Sequence, residues 1–448
     1  MMYPRLILAK DLLTDDGVIF ISIDENEYPN LRKIMNEIFG ENNYRNTILI
    51  RRRVKSLNLQ FSNNGLNTFN VGAEYIVAYS KSDSFKFVPI EKKKKNAPSQ
   101  GKWNVFWSNA DRPTMRYELL GFTPKTGQWR WSEEKAKEAV NNYKVFIEKY
   151  SDHMTLEEYW AKNRSKKFIR RIENGKGKNG GVQYYVGPST HSLRTSNWTD
   201  IEVSQISKDF NLPFDNPKNV QLIEEVLKSV GDSEYILDFF SGSSTTADAV
   251  MRLNAQDNKK RKFIMVQLPE PIDSGSNFSN LAEIGQERIR QAGEKIVSEK
   301  PDKKNSLDTG FRVFELDNSN IQKWNIDSDK IEESLFAMEN NFVEGRSHLD
   351  IVYEVLLKLG LDLNTPFEEN IIDNSAVYDI AFGNVFVVLG DNITQEVAHY
   401  IVTKQKEYGN ENPSVVFNDN GFKNDNEKLN TIEILKNNGF NEEQLMSI

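Results

Sequence analysis

The chain contains no cysteine, which excludes disulfides, thiolate metal sites and a cysteine nucleophile. Histidine is almost as scarce: His153, His191, His348 and His399 are the whole complement, and no two stand at a metal-binding spacing, so no metal site is expected. Long apolar runs are missing too. None approaches the roughly 20 residues that a spanning helix needs, and mean hydropathy is −0.60. The opening MMYPRLILAKDLLTDD has no apolar core followed by a small-residue cleavage site, so no membrane segment and a cytoplasmic location are the expectation. Two phosphate-binding fingerprints are absent as well. No Gly-Lys-Ser/Thr follows the glycine turn described next, and of the dinucleotide fingerprint only Gly242 is present.

What is present centres on Tyr235 to Asn254, YILDFFSGSSTTADAVMRLN. Apolar and aromatic residues surround Asp238 and run into a Ser/Gly/Thr turn, after which Ala247, Val250, Met251 and Leu253 recur at helical spacing. The pattern predicts strand, tight turn, helix. Such a turn lets main-chain N–H groups and a helix N-terminus approach a nucleotide-like cofactor at the carboxyl end of a strand, or serves only close helix–strand packing.

A length of 448 residues predicts two to four domains. The net charge of −8 hides an asymmetry. From Leu316 to Ile448 there are 24 acidic and 9 basic residues, a balance of −15, which leaves +7 for positions 1–315. A basic body with an acidic C-terminal part suits a protein that holds a polyanion in front and a protein partner behind; two unrelated solvated surfaces are the plainer alternative.

In chain order, a helix from Met2 stops at Asp15, Asp16 and Gly17. VIFISID then reads as a strand inside a parallel sheet, and Glu27 to Phe39 as a helix ended by Gly40. A basic cluster, Arg51, Arg52, Arg53 and Lys55, precedes a polar loop, and AEYIVAYSKS is a second buried strand that opens with Glu74. From Lys86 the character changes. Residues 162–178 hold eight basic residues and one acidic one, with Lys166, Lys167, Arg170 and Arg171 among them. Basic residues interleaved with Trp103, Trp107, Tyr117, Trp129 and Trp131 suit a surface that tracks phosphates and offers flat side chains to bases. The same tryptophans can equally be the small core of an irregular domain. Past Asp200 the α/β pattern returns with FDNPKNVQLIEEVLKSV, then with KFIMVQLPEP. Its Glu270 stands where nucleotide-binding sheets place an acid for ribose hydroxyls. A helix over 282–296 carries Arg288 and Arg290, and the tail is a separate α/β unit with no constellation that reads as chemistry.

These stretches together resemble a family. DFFSGSSTTADAV resembles the S-adenosylmethionine-binding motif of amino-methylating DNA methyltransferases. MYPRLILAKDLL, DDGVIFISIDENE, EIFGENNY, AEYIVAYSKS, FDNPKNVQLI, FIMVQLPEP, GQERIR and GFRVFELDNSNIQKW resemble, in that order, the modification subunit of type III restriction–modification systems. The resemblance implies an α/β, Rossmann-like methyltransferase sheet with an inserted target-recognition domain and a C-terminal α/β region. It divides the chain into a catalytic half (1–87), a DNA-recognition insert (88–205), a cofactor half (206–317) and a C-terminal region (318–448) for restriction-subunit or dimer contact. It places Asp238, Phe239, Phe240, Gly242, Ser244 and Thr245 at S-adenosylmethionine, Asn216, Pro217 and Lys218 near its methionine end, and Glu270 near its ribose. The DNA contacts fall to Arg51, Arg52, Arg53, Lys166, Lys167, Arg170 and Arg171. The partners implied are double-stranded DNA, an ATP-dependent restriction subunit and a second copy of the chain; the reaction is methylation of the adenine N6 amino group.

Two departures qualify that expectation. The family's turn ends Gly-Ser-Gly-Thr, whereas here Ser244 replaces the second glycine, which predicts crowding of the cofactor or a strained backbone. The catalytic Asp/Asn-Pro-Pro-Tyr motif is missing, since the chain has 14 prolines and no two are adjacent. That motif accepts hydrogen bonds from the target amino group and stacks on a flipped base. With no catalytic residue to assign, the chain reads as an N-terminally truncated or split modification subunit, inactive alone or serving only DNA recognition or restriction-subunit docking.

Overall fold

The computed structural model describes residues 2–52, 69, 71–94, 96, 100–204, 210–215, 217–272, 277–322 and 341–448. They fall into two compact units, Met1–Gly310 and Phe311–Ile448.

The first unit opens with α1 (Met2–Leu12), β1 (Val18–Ile23), α2 (Tyr28–Phe39), β2 (Tyr44–Arg51) and β3 (Ala73–Ser80). Its second segment holds β4 (Glu91–Lys93), β5 (Lys102–Val105), β6 (Trp107–Ser108), β7 (Gln128–Trp129), α3 (Glu133–Lys149), α4 (Leu156–Lys162), β8 (Ile169–Arg171), β9 (Val182–Val186) and β10 (His191–Leu193). Then come β11 (Asn197–Glu202), α5 (Val220–Val230), β12 (Tyr235–Asp238), α6 (Thr245–Asp257), β13 (Lys262–Met265) and α7 (Leu281–Glu299). Local chemistry sets several of these boundaries. Asn219 caps α5 by accepting from the Gln221 N–H at 3.0 Å, and Asn280 caps α7 by accepting from the Glu283 N–H at 3.1 Å.

β1, β3, β2 and β11 form one sheet in that order. The strand VIFISID is there, but its expected parallel setting is not: among the described residues β1 pairs with β3 alone, and that pairing is antiparallel. Its apolar character comes from helix cover instead, since Ile19 lies in a cluster with Leu6, Leu31, Met35 and Val77 from α1, α2 and β3. On the opposite face Ile48, Ile50 and Ile76 pack against Leu222 and Val226 of α5. β12 and β13 pair in parallel as a separate two-stranded sheet. The single continuous sheet that the sequence predicts is therefore divided among the described residues. Only one side of β12 and β13 is half-covered; along the other, Leu237, Ile264, Val266 and Leu268 are exposed.

The second segment has its own cores. Phe106, Trp129, Ala136, Ala139, Ile169 and Val182 make one, and Phe146, Tyr159, Phe168 and Tyr185 another. An ion triad fastens it to α5: Arg194 reaches the buried Glu225 at 2.7 Å and the more exposed Asp200 at 3.2 Å.

The second unit contains α8 (His348–Lys358), β14 (Phe367–Ile372), β15 (Ser375–Ile380), β16 (Val385–Leu389), α9 (Gln395–Tyr408), β17 (Ser414–Phe417), α10 (Asp425–Asn437) and β18 (Leu445–Ser447). Its five strands are ordered β14 to β18, antiparallel as far as β16 and parallel thereafter. α8 covers one face and α9 with α10 the other, so every residue of β15 and β16 is buried.

Candidate cofactor site and nucleic-acid interface

The predicted strand, turn and helix are β12, residues 239–244 and α6. Asp238, last in β12, organises the turn. Its carboxylate accepts the Phe240 N–H at 3.2 Å and the Thr246 hydroxyl at 2.6 Å, while its carbonyl accepts the Val266 N–H at 2.9 Å from the next strand's exit. Gly242 and Ser244 both occupy the left-handed region, with φ of 51° and 57°. The Gly242 N–H donates to Gln267 Oε1 at 2.8 Å, and the Ser244 N–H to the Ser241 carbonyl at 2.7 Å. Ser244 therefore adopts the strained backbone that its substitution for glycine predicts. It does not crowd the open side, because its side chain is turned inward and is buried. Thr245 is buried at the start of α6.

Phe239 and Phe240 differ in burial, although their ring centroids lie 5.2 Å apart. Phe239 joins the apolar cluster of α1, α2 and β1, whereas Phe240 leaves 61% of its surface exposed at the mouth of the turn. Phe214, from the FDNPKN stretch, borders Gly242: a Cβ there would lie 3.4 Å from its ring. Pro217 and Lys218 follow, while Asn216 lies outside the described residues. Lys218 is held 3.4 Å from Glu74, which also faces Arg52 at 3.7 Å. Asp24, at the exit of β1, completes this edge; the Asn26 amide, with the N–H groups of residues 26 and 27, holds its carboxyl below the usual range. Glu270 is exposed, and its carbonyl accepts the Leu281 N–H at 2.9 Å.

Four contributors were not singled out from sequence. Thr246 lies one residue beyond the turn positions named there. Gln267 lies inside the quoted FIMVQLPEP, but an amide in a strand exit carries no signal of its own. Phe214, beside Gly242, and Gly285, where a Cβ would meet Ser244 Oγ at 2.6 Å, lie 28 and 41 residues from the turn residues they face, a separation that periodicity does not report.

Of the residues expected at DNA, Arg51 pairs with Glu202 at 3.6 Å and Arg52 with Glu74, while Arg53 lies outside the described residues. In the second segment the cations lie over aromatic rings, half-buried at Trp103 and Trp131 and buried at Tyr159. Arg170 is 4.1 Å from Trp103, Lys167 4.6 Å from Trp131 and Lys166 5.8 Å from Tyr159. Arg171 is differently engaged, donating to the carbonyls of Gly180 and Leu120 at 2.8 and 2.7 Å. Both readings of the tryptophans apply, to different residues. Trp129 is wholly buried and donates its indole N–H to the Tyr117 carbonyl at 2.8 Å, whereas Trp103, Trp107 and Trp131 remain partly open beneath the cations. Among the described residues no cluster of His, Asp and Glu could hold a metal ion, and no helix is long and apolar enough to cross a membrane.

A glycine turn between a parallel strand and a helix, with a carboxylate fixing the turn and an open aromatic at its mouth, is an arrangement with which an α/β protein can hold a nucleoside-like group. Residues 1–298 match the family described as DNA methylase (N6_N4_Mtase), and the chain belongs to that family. It is 29% identical over 334 residues to the type III restriction–modification enzyme StyLTI Mod subunit of Salmonella typhimurium, covering 70% of this chain and 47% of that protein. It is 25% identical to the EcoP15I Mod subunit of Escherichia coli, over 70% of this chain and 52% of that protein. A type II methyltransferase, M.KpnI of Klebsiella pneumoniae, is 30% identical over 60% of this chain and 67% of its own length. The chain thus spans about half the length of the Mod subunits StyLTI and EcoP15I. The methyl donor of this family is S-adenosylmethionine, and the residues present fit such a group: among the described residues Ser241 Oγ is buried in the turn with no hydrogen-bond partner, and Phe240, though it touches Phe239, leaves most of its ring exposed beside it.

Proposed function

We propose that the chain is the cofactor-handling and target-reading part of a site-specific DNA adenine-N6 methyltransferase of the type III modification kind, and that it transfers no methyl group alone. When bound, S-adenosylmethionine would supply an electrophilic methyl group. Asp238 and Gln267 hold the turn in shape for it, Phe240 would offer a ring to its adenine, and Lys218, its ammonium fixed by Glu74, would face its methionine end. Glu270, exposed beyond β13, is the acid available to ribose hydroxyls. Arg51, Arg52, Lys166, Lys167 and Arg170 supply positive charge toward duplex DNA, with Arg171 bracing the loop beside them.

Methylation needs the target adenine flipped out, its amino group held by an acceptor so that the nitrogen lone pair meets the methyl carbon and a proton can leave. No Asp/Asn-Pro-Pro-Tyr stretch exists in the sequence to do this, and that observation carries the expected inactivity. The exposed apolar residues Leu237, Ile264, Val266 and Leu268 favour a complementing polypeptide as its source, because such a surface is costly to leave in water. Contact with a restriction subunit and self-association belong, on this reading, to the acidic C-terminal unit.

The test is transfer of labelled methyl from S-adenosylmethionine to mixed-sequence duplex DNA, by the purified chain alone and with a polypeptide carrying the Asp-Pro-Pro-Tyr strand of a full-length relative. No transfer alone and transfer on mixing are expected. Transfer by the chain alone would refute the requirement for that motif. A chain that binds duplex DNA but stays inactive on mixing would leave target recognition as its role.

A further inference from the structure

Gly285 sits inside α7, where glycine is unfavourable relative to alanine and so calls for a packing reason. The reason lies in the turn. A Cβ at position 285 would stand 2.6 Å from Ser244 Oγ, 3.3 Å from the Gly242 carbonyl oxygen and 3.5 Å from Ser244 Cβ. The first distance is shorter than non-bonded atoms tolerate, and Ser244 is buried with a left-handed backbone, so it has little freedom to retreat. α7 meets the turn at a second point one helical turn on, where Arg288 donates to Asp248 at 3.4 Å and to Ser243 at 3.5 Å.

We propose that Gly285 is a positioning residue for the cofactor turn. The space that a glycine at 244 would have provided within the turn is provided instead by the helix behind it, so that Ser244 can point inward and leave the cofactor side clear. Ser244 and Gly285 are then one coupled pair: a methyl group is tolerated at one position only if the side chain at the other is removed. The pair rests on the reading of residues 238–245 as the cofactor site only for its functional consequence.

The experiment compares the full chain with G285A, S244G and S244G/G285A. Two readouts are taken: affinity for S-adenosylhomocysteine by calorimetry, and hydrogen exchange of the amides of residues 241–246. An uncoupled Gly→Ala change within a helix would be neutral or mildly stabilising. We expect G285A to weaken S-adenosylhomocysteine about tenfold, as contacting pairs do, and to speed exchange in 241–246 without altering the C-terminal half of α7. The double variant should return to within about threefold of S244G in affinity, and to its exchange rates. G285A binding and exchanging like the wild type, or a double variant no better than G285A, would overturn the proposal. If G285A does not fold, folding of the double variant supports the pair and its failure overturns it. If the wild type binds no S-adenosylhomocysteine, the cofactor reading fails by itself, and the exchange rates still decide the pair.

Discussion

Asp238 is the residue on which the turn depends, because its one carboxylate accepts from two donors, the Phe240 N–H and the Thr246 hydroxyl. Asp238→Ala removes both anchors at once. Hydrogen bonds to charged groups contribute about 1.5–3 kcal/mol when buried, and the partial exposure here favours the lower end. S-adenosylhomocysteine should therefore bind D238A at least about tenfold more weakly, and Thr246→Val, which loses only one anchor, less so. Equal affinity of D238A and wild type by calorimetry would remove Asp238 from the site. Asp238 was legible in the sequence because it stands alone in an apolar run before a glycine turn. Ser244 was legible as an anomaly but not in its outcome: what decides it is the empty space at Gly285, 41 residues away. Sequence reports which residues are unusual, while the partner that accommodates them is a fact of tertiary packing.

Among the elements, β8 and β9 with the aromatic layers beneath them carry the proposed DNA surface. The interleaving of bases and rings was visible in the sequence, but not which rings face inward. Tryptophan serves equally as core and as platform: Trp129 and Trp103 each pack against two rings, and only the complete burial of Trp129 separates it from the partly open Trp103. Two variants should part accordingly. Arg170→Ala removes a cation that stacks on Trp103 and is braced by Gln183. It should weaken duplex binding about equally across sequences and reduce the slope of log affinity against log salt by roughly one, as measured by fluorescence anisotropy at several salt concentrations. Trp129→Ala should cost about 3–5 kcal/mol through the cavity it leaves and abolish binding by unfolding the segment, which near-ultraviolet circular dichroism detects. If R170A leaves the salt slope unchanged, the cation row is not the phosphate-tracking surface. β1 teaches the complementary lesson: a continuous apolar run reports burial, which α1 and α2 supply here on one face of a strand paired antiparallel, so direction could not be inferred from apolarity.

At the scale of the whole molecule, the change from a basic body to an acidic C-terminal part was legible in composition and lies close to the boundary between the units. The division of the first unit's sheet was not, since periodicity marks strands but not their neighbours. Each unit encloses its own apolar clusters, those of the second lying wholly within 342–448, and cores of this kind unfold as separate cooperative blocks. Scanning calorimetry of the full chain should accordingly give two transitions, one of which is reproduced by residues 311–448 expressed alone. The turn, with Asp238, Gln267 and Gly285, belongs entirely to the other unit. S-adenosylhomocysteine at a hundredfold excess over its Kd should then stabilise that unit by about 2.7 kcal/mol and raise its transition alone. A shift in the transition shared with residues 311–448 would mean either that the nucleoside binds in the C-terminal unit or that the two blocks melt as one. Repeating the titration with residues 311–448 by themselves separates these, because only direct binding survives removal of the first unit.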